Sequence, residues 1–497
     1  MNILNSKNLP ELPLLLWEPP PGLELILAQE GIPYVNVVSS HPWSFQDGRF
    51  VLFDGRKVRA SRLRLMLSPN HVPIDIDALR QGSRVDPFEA VLRTDGARRL
   101  CLAAGMVVHE RISRIDQGLL RERLLKGLRE LIDRHGGIWA RLARYPFPYR
   151  SAFNFRADLD EPYPRDFQRF ARGSQAIADC TTLFVSTRAY GRNGEILRSL
   201  ADYDTQSHGH NHVVSRDEAM NLRNLRRAHE ILDRHGLTPT AFAAPEGRWN
   251  AGLDRAIEAL GYEYSSDFQL SYDDLPFFPW RDGCFSRVLQ VPIHPICEGL
   301  FLDAGATDLT AFSGHLRRVA RARIDAGEPA FLYGHPERRL GMHPKTLDAL
   351  IQEISDEPLL WRVTLTAFAR WWRWRSERKW SIRTQGPGQL DVQFEDWDAA
   401  HPLALEFVRG AHVASIPLRA ARTAVRLDQL AFEKRRPPSD RLRVLGTLPN
   451  GGIKQVVKQM LDWETVTPID ELPTRTIRDQ LKRGLRRWRS PRLAEQH

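Results

Sequence analysis

Apolar runs alternate with helical periods along most of the chain. LPLLLW (12–17) is a continuous apolar run and predicts a buried strand. PPPG (19–22) predicts a turn, LELILAQEG (23–31) a helix stopped at Gly31, and PYVNVV (33–38) a second strand. A strand–helix–strand start predicts an open, partly parallel α/β domain over 1–110. Its first turn is rich in Pro and lacks GxGxxG, so the usual backbone cradle for a pyrophosphate is absent. LLRERLLKGLRELIDRHGG (119–137) is strongly periodic and ends at Gly136-Gly137, which predicts a helical linker over 111–145.

From 146 to 380 the alternation becomes regular. SAFNFRADLD, TTLFVS, DTQSHGHNH, TAFAAPEG, YEYSSDF, LQVPIHP and PAFLYGHP read as strands. NGEILRSLAD, SRDEAMNLRNLRRAHEILDRHG, NAGLDRAIEALG and LTAFSGHLRRVARARIDAG read as the helices between them. Strands alternating with helices predict a parallel sheet or a (β/α) barrel, and polar residues gather where the strands end, as barrel chemistry requires. After the Gly/Pro break at QGPGQ, short alternating runs such as LDVQFEDW and HVASIPL predict a small, mostly β accessory domain over 389–475. Trp371, Trp372 and Trp374 cannot share one helical face, which predicts core packing for one and an interface for another rather than a sugar platform.

Composition bounds the setting. With 497 residues the chain predicts two to four domains, and a hydrophobic fraction of 42% suffices for real cores. No run approaches the roughly 20 apolar residues of a membrane-spanning helix. The N-terminus lacks the pattern of a secretory signal. Cys101, Cys180, Cys284 and Cys297 form no CxxC pair and predict free thiols in a reducing cytoplasm. The net charge of +10 is concentrated late in the chain. In 476–497, Ile477, Leu481, Leu485 and Trp488 recur at helical spacing among Arg478, Lys482, Arg483, Arg486, Arg487 and Arg489. That is the pattern of a basic amphipathic tail able to lie on an anionic membrane, which predicts a cytoplasmic protein peripheral to the inner membrane face. A terminal helix docked by its apolar stripe accounts for the same pattern. No nucleic-acid-binding signature accompanies the charge, so no nucleic-acid partner is expected.

The candidate chemistry lies in FRADLDEP and SHGHNH. Asp158 and Asp160 form a DxD at the end of an apolar run, and His208 and His212 form an HxxxH. Imidazoles and a carboxylate suit a divalent metal with an open position, zinc above all. A further carboxylate beside the metal can take a proton from water. Any one of these residues alone is more often a cap, a turn former or a core partner; the ordered set is what carries the signal.

That set resembles the polysaccharide deacetylase (NodB-homology, carbohydrate esterase) family over roughly the central region. The resemblance implies a distorted (β/α) barrel and metal-dependent removal of N-acetyl groups from an amino sugar in a polysaccharide or lipid-linked glycan. It implies Asp158 as general base, Asp160, His208 and His212 as metal ligands, and His335 in FLYGHPE as the acid that protonates the leaving amine. The motif usually written Arg-x-Pro-x-Gly keeps Pro245 and Gly247 but has Ala243 where the Arg that holds the base normally stands. Arg156 and Arg248 are the candidates to replace it. Pro245, Glu246, Gly247 and Arg248 are expected to line the substrate pocket. His294, which follows an apolar strand as His335 does, competes as catalytic acid or substrate contact. His210 is expected behind the ligands or in solvent. Two other readings stay open: a cyclic amide or imide hydrolase of the same superfamily, and a non-catalytic glycan-binding module, which the missing Arg favours.

Overall fold

The computed structural model describes residues 9–37, 48–59, 66–191, 193–270, 275–435 and 442–447. Its centre is a single sheet of eight parallel strands curled into an open barrel. In chain order they are Ser151–Leu159, Thr181–Val185, Asp204–Ser207, Ala241–Phe242, Tyr264–Ser265, Leu289–Gln290, Ala330–Gly334 and Leu360–Arg362. Hydrogen bonds join them in the order sixth, fifth, fourth, third, second, first, seventh, with the eighth on the first. The sixth and seventh do not pair as strands. Between them the His294 N–H donates to the Phe331 carbonyl at 2.9 Å.

The first strand is buried at all nine residues, as expected of a central strand covered on both faces. Asn154 on it donates to the Cys180 carbonyl, Thr182 Oγ1 and the Val363 carbonyl, tying the first strand to its surroundings. Helices cover the outside. Glu218–Asp233 is capped by Asp217, whose carboxylate accepts from the Met220 N–H. Thr310–Ala326 ends at Gly327 in the left-handed conformation (φ 68°) that glycine adopts without steric cost.

The N-terminal region carries four parallel strands in the order Tyr34–Val37, Leu14–Trp17, Phe50–Phe53, Val72–Asp75, with the helix Pro21–Glu30. A hairpin follows, Gly96–Ala103 with Met106–Ser113, turned at Ala104 and Gly105, both at positive φ. Its buried Cys101, Ala103, Val108 and Ile112 join the barrel core, and Arg443–Thr447 adds a third strand. The helix Gln117–Arg134 and two antiparallel sheets close the molecule. One holds Trp380–Gly386, Gln389–Phe394 and Arg422–Arg426. The other holds Glu433–Lys434, His412–Pro417, Ala404–Arg409 and Ala140–Leu142, the last from before the barrel. Residues 448–475 of the predicted β region and the 476–497 tail lie outside the described residues.

One apolar cluster runs through the N-terminal sheet, the 117–134 helix and the C-terminal sheets. Trp371 packs in it and donates to the Arg144 carbonyl, whereas Trp372 belongs to the barrel core and Trp374 stacks on His401. The three tryptophans therefore do different things, as their helical positions require. Where these bodies meet, buried Glu30 is paired with Arg141 and, at 2.9 Å, with Arg144, while buried Glu406 takes Arg141 and Arg435. All four cysteines are free, and only Cys284 is exposed. Among the described residues no helix is long and apolar enough to cross a membrane.

Candidate active site

Strand register brings the polar residues together. Val185 ends the second strand opposite both Leu159 and Ser207, so the next residues, Asp160 and His208, emerge on either side of it. Gly334 is paired with Ala157, which puts His335 level with Asp158. Because strand side chains alternate, Arg156 and Asp158 share a face.

His208 Nδ1 lies 2.7 Å from the Ala243 carbonyl. A carbonyl only accepts, so Nδ1 carries a proton toward it and Nε2 is turned toward Asp160 Oδ1, 3.2 Å away. His212 Nε2 is 3.3 Å from the same oxygen. The turn between the two histidines needs Gly209 at φ 82°, and buried Asn224 pins it, accepting from the Asn211 N–H and donating to the Asn211 and Val213 carbonyls. Burial would raise the Asp160 carboxyl, but His212 and His208 hold it well below the usual carboxylate range.

These donors fit a divalent metal. Asp160 Oδ1 is buried and faces both imidazole Nε2 atoms. A tetrahedral zinc with bonds of ~2.0–2.2 Å sets neighbouring donor atoms about 3.3–3.5 Å apart, close to the spacings of Asp160 Oδ1 from the two nitrogens. Asp160, His208 and His212 form one of two clusters of ligand-type atoms among the described residues. The other, Cys297, Glu298 and His335, already has a cation: Arg339 Nη1 is 3.1 Å from Glu298 Oε1 and 2.8 Å from His335 Nδ1.

Asp158 is 3% exposed and gripped at both oxygens by Arg156, Nε to Oδ1 at 2.6 Å and Nη2 to Oδ2 at 2.6 Å. The guanidinium also donates to the Ser266 carbonyl and packs between the rings of Phe184 and Tyr333. Burial would raise the Asp158 carboxyl, but Arg156 and then His208 hold it below its ordinary value. Arg156 is thus the cation that faces Asp158, from two residues upstream. Arg248 is not: it pairs with Glu246 at 2.6 Å.

His335 Nε2 lies 3.7 Å from Asp160 Oδ2, and Nδ1 lies 2.7 Å from Glu298 Oε1, which also accepts the His335 N–H. Gly334 makes room, since a Cβ there would fall 2.6 Å from Glu298 Oε2. Burial and Arg339 push the imidazole toward neutrality, but Glu298 and Cys297 hold its pKa well above that of a free histidine. Two further buried acids line the interior. Asp267 accepts from the Ala244 N–H and Ser265 and is pushed up to about 6 by burial. Glu337 accepts from Tyr190, and burial raises it.

The remaining predicted residues are placed as follows. Pro245–Gly247 forms a tight turn after the fourth barrel strand, with Glu246 and Gly247 both at positive φ and Gly247 against Phe268. Its Glu246–Arg248 pair is partly exposed at the rim. His210 turns away from Asp160 toward Thr187 Oγ1 at 3.0 Å, and burial with Arg227 and Arg188 pushes it down to about 4. His294 faces the covering helix. It is 6% exposed, its Nε2 lies 3.1 Å from His315 Nε2 on the covering helix, and burial pushes it down to about 3. Its backbone is bonded to Phe331, three residues below the end of the seventh strand, so it sits beneath the mouth and not in it. Sequence reasoning missed Glu298, Arg339, Asn224, Asp267 and Glu337. The only local cue was that Arg339 stands four residues after His335 in HPERR.

No family model matches the chain, and no curated protein matches it either. Solved structures do. A Mycobacterium smegmatis protein described as a polysaccharide deacetylase is 20% identical and matches 49% of this chain and 96% of its own, with a TM-score of 0.42. One so described from Pseudomonas aeruginosa PAO1 is 21% identical over 47% of this chain and 94% of its own, TM-score 0.40. A family 4 carbohydrate esterase from Streptomyces lividans in complex with acetate is 14% identical over 44% and 92%, TM-score 0.31.

Proposed function

We propose that the chain is a metal-dependent hydrolase that removes N-acetyl groups from an amino sugar in a polysaccharide or lipid-linked glycan. The observation that carries the reading is the convergence of Asp160 Oδ1, His208 Nε2 and His212 Nε2, with a held carboxylate, Asp158, and a held imidazole, His335, beside them. Asp160, His208 and His212 would hold the ion, and two imidazoles with one carboxylate favour zinc. When bound, such an ion acidifies water and polarises a carbonyl.

The protein's own groups do the rest. Asp158, kept ionised by Arg156, accepts a proton at a carboxylate oxygen. His335 carries a proton at rest and donates it from Nε2 to the departing amine, which is a poor leaving group until protonated. Glu298, itself held by Arg339, accepts from Nδ1 and fixes the ring so that Nε2 faces Asp160. A binding-only module would not need a base held ionised opposite an acid held protonated, and Arg156 answers the loss of the motif Arg at Ala243. The test is acetate release from N-acetylated oligosaccharides by the metal-loaded protein, with cyclic imides in parallel. Metal content near one ion per chain with acetate release supports the proposal; turnover of imides alone would replace it with the cyclic amide reading. The proposed cytoplasmic, membrane-peripheral setting rests on the 476–497 sequence.

A further inference from the structure

The loops after the first and seventh barrel strands carry a second arrangement next to the site. Tyr163 stands three residues after Asp160 and is 40% exposed, one of few large hydrophobic side chains so open. Arg338 stands three residues after His335, and its guanidinium carbon lies 5.3 Å from the centre of the Tyr163 ring. Since Asp160 and His335 are themselves in contact, the Tyr163–Arg338 pair flanks the proposed reaction centre.

Arg338 has two features that a merely structural residue would not need. Its φ is 57°, the left-handed region that is unfavourable for every residue with a Cβ. The loop cannot relax out of it easily. The Arg338 N–H donates to Asp166 Oδ2 at 2.9 Å, and Gly341 is pressed so tightly on the Asp166 backbone that a Cβ would fall 2.2 Å from its carbonyl oxygen. A glycine at 338 would adopt this conformation freely, yet an arginine stands there. Moreover, its exposed guanidinium makes no hydrogen bond or ion pair with any of the described residues, in a protein where most buried and rim arginines do. Stacking on an aromatic ring uses the guanidinium face and leaves the five in-plane N–H donors at its edge available, in the fork that matches a carboxylate or phosphate.

We propose that Arg338, held over Tyr163, determines substrate specificity by receiving an anionic group, a carboxylate or a phosphate, on the sugar next to the one deacetylated. This rests on the hydrolase reading above and names its substrate class as acidic glycans. Tyr163 fixes the guanidinium and gives its remaining exposed surface to the sugar ring.

The probes are an oligosaccharide of alternating glucuronate and N-acetylglucosamine, its carboxyl-reduced neutral counterpart, and an N-acetylglucosamine oligosaccharide bearing a phosphate ester. The metal-loaded wild type should favour at least one acidic probe over the neutral one by about ten-fold in kcat/KM, about the worth of one good charge-assisted contact. The carboxylate and phosphate arms identify the anion. Arg338→Gly should remove most of that preference through KM while melting no lower than wild type, because the backbone conformation suits glycine. Arg338→Lys should keep part of it, and Tyr163→Ala should reduce it. Equal handling of acidic and neutral probes by the wild type, or an undiminished preference in Arg338→Gly, overturns the inference. If no probe is hydrolysed, the hydrolase reading fails. Calorimetric binding of the same three probes to wild type and Arg338→Gly then decides the anion site separately, with the same ten-fold difference expected.

Discussion

Replacing Arg156 by methionine removes the cation from a carboxylate that is 3% exposed and keeps the aliphatic bulk of the side chain. Two hydrogen bonds of 2.6 Å disappear, together with the donation to the Ser266 carbonyl. Breaking one side of a buried ion pair costs ~3–5 kcal/mol, because an uncompensated charge stays behind. The penalty has a ceiling that can be worked out. Rather than stay charged, Asp158 can take a proton, and at pH 7 protonating a carboxyl of ordinary pKa near 3.9 costs about 4 kcal/mol, at 1.36 kcal/mol per unit. The two routes agree on a deficit of about 4 kcal/mol at neutral pH.

The sign of the pH dependence follows. In the wild type the folded Asp158 pKa is depressed, so its contribution is present above the unfolded pKa and is lost as pH falls through the folded value. In Arg156→Met the guanidinium no longer opposes burial, only His208 and His335 do, and the folded pKa rises above the unfolded one. The variant then takes up a proton on folding, and its stability falls as pH rises. Its deficit against wild type should therefore grow by about 1.4 kcal/mol per pH unit between about pH 4 and pH 7. Thermal unfolding of chelator-treated protein across that range measures it. Asp158→Asn combined with Arg156→Met should remove the slope. In the metal-loaded protein, hydrolysis by Arg156→Met should fall by ~100-fold or more at neutral pH and recover partly on the alkaline side, where Asp158 ionises. A deficit below about 1 kcal/mol, or one independent of pH, would refute the role given to this pair.

Further outcomes can be checked more briefly. His208→Ala and His212→Ala should each lose most bound metal by elemental analysis, since a three-ligand site rarely survives losing one; wild-type stoichiometry in both would move the site. Glu298→Gln removes the anion that keeps His335 protonated, so the alkaline limb of kcat/KM should move to lower pH, and an unmoved limb would free His335 of its role as acid. Glu406 is held at about 2, burial being outweighed by Arg435 and Arg141, and so contributes about 3 kcal/mol above its unfolded pKa that is lost as pH falls toward 2. Glu406→Gln should be destabilised at neutral pH with a deficit that closes in acid, which acid titration of unfolding will show. Truncation after Pro473 should weaken binding to anionic vesicles in a salt-sensitive way, at roughly 1 kcal/mol per basic residue near the surface, while leaving hydrolysis of a soluble substrate in place; vesicle binding equal to the full chain would leave the tail a docked helix.

What the sequence made legible was whatever depends on local period. The strand and helix alternation from 146 onward needs only runs of a few residues; the end of the first strand is fixed by its own apolar stretch, and His208 and His212 stand out by their HxxxH spacing after the polar third strand, which is why Asp160 and His208 could be named together. The residues that complete the site depend on closure between distant segments. Glu298 is an acid in a loop like many others until the seventh strand brings His335 onto it, and Arg339 has no meaning before Glu298 is buried beside it. The placing of His294 depends on closure in the same way. HPI and HPE look alike after an apolar strand, but one chain continues alongside the seventh strand and the other turns out over its end, and only the pairing of His294 with Phe331 distinguishes them. The hairpin at 96–113 was missed because its turn, Ala104-Gly105, lacks the Asn or Asp that announces such turns.

The departure at Ala243 shows which part of a motif is chemistry and which part is address. An ionised carboxylate buried at Asp158 needs a cation beside it, and that need does not specify the strand that supplies it. On an extended strand, residues two apart share a face, and an arginine is long enough to fold along that face and meet the carboxylate with both edges of its fork. Arg156 does this and is locked by Phe184 and Tyr333. Ala243 is fully buried and contributes its carbonyl, which accepts from His208 Nδ1 and so turns Nε2 toward Asp160. On the proposed reading base and ligand are thereby tied together: the segment after the fourth strand orients the imidazole, the first strand supplies Asp158 and its cation, and the residue that follows that strand is Asp160.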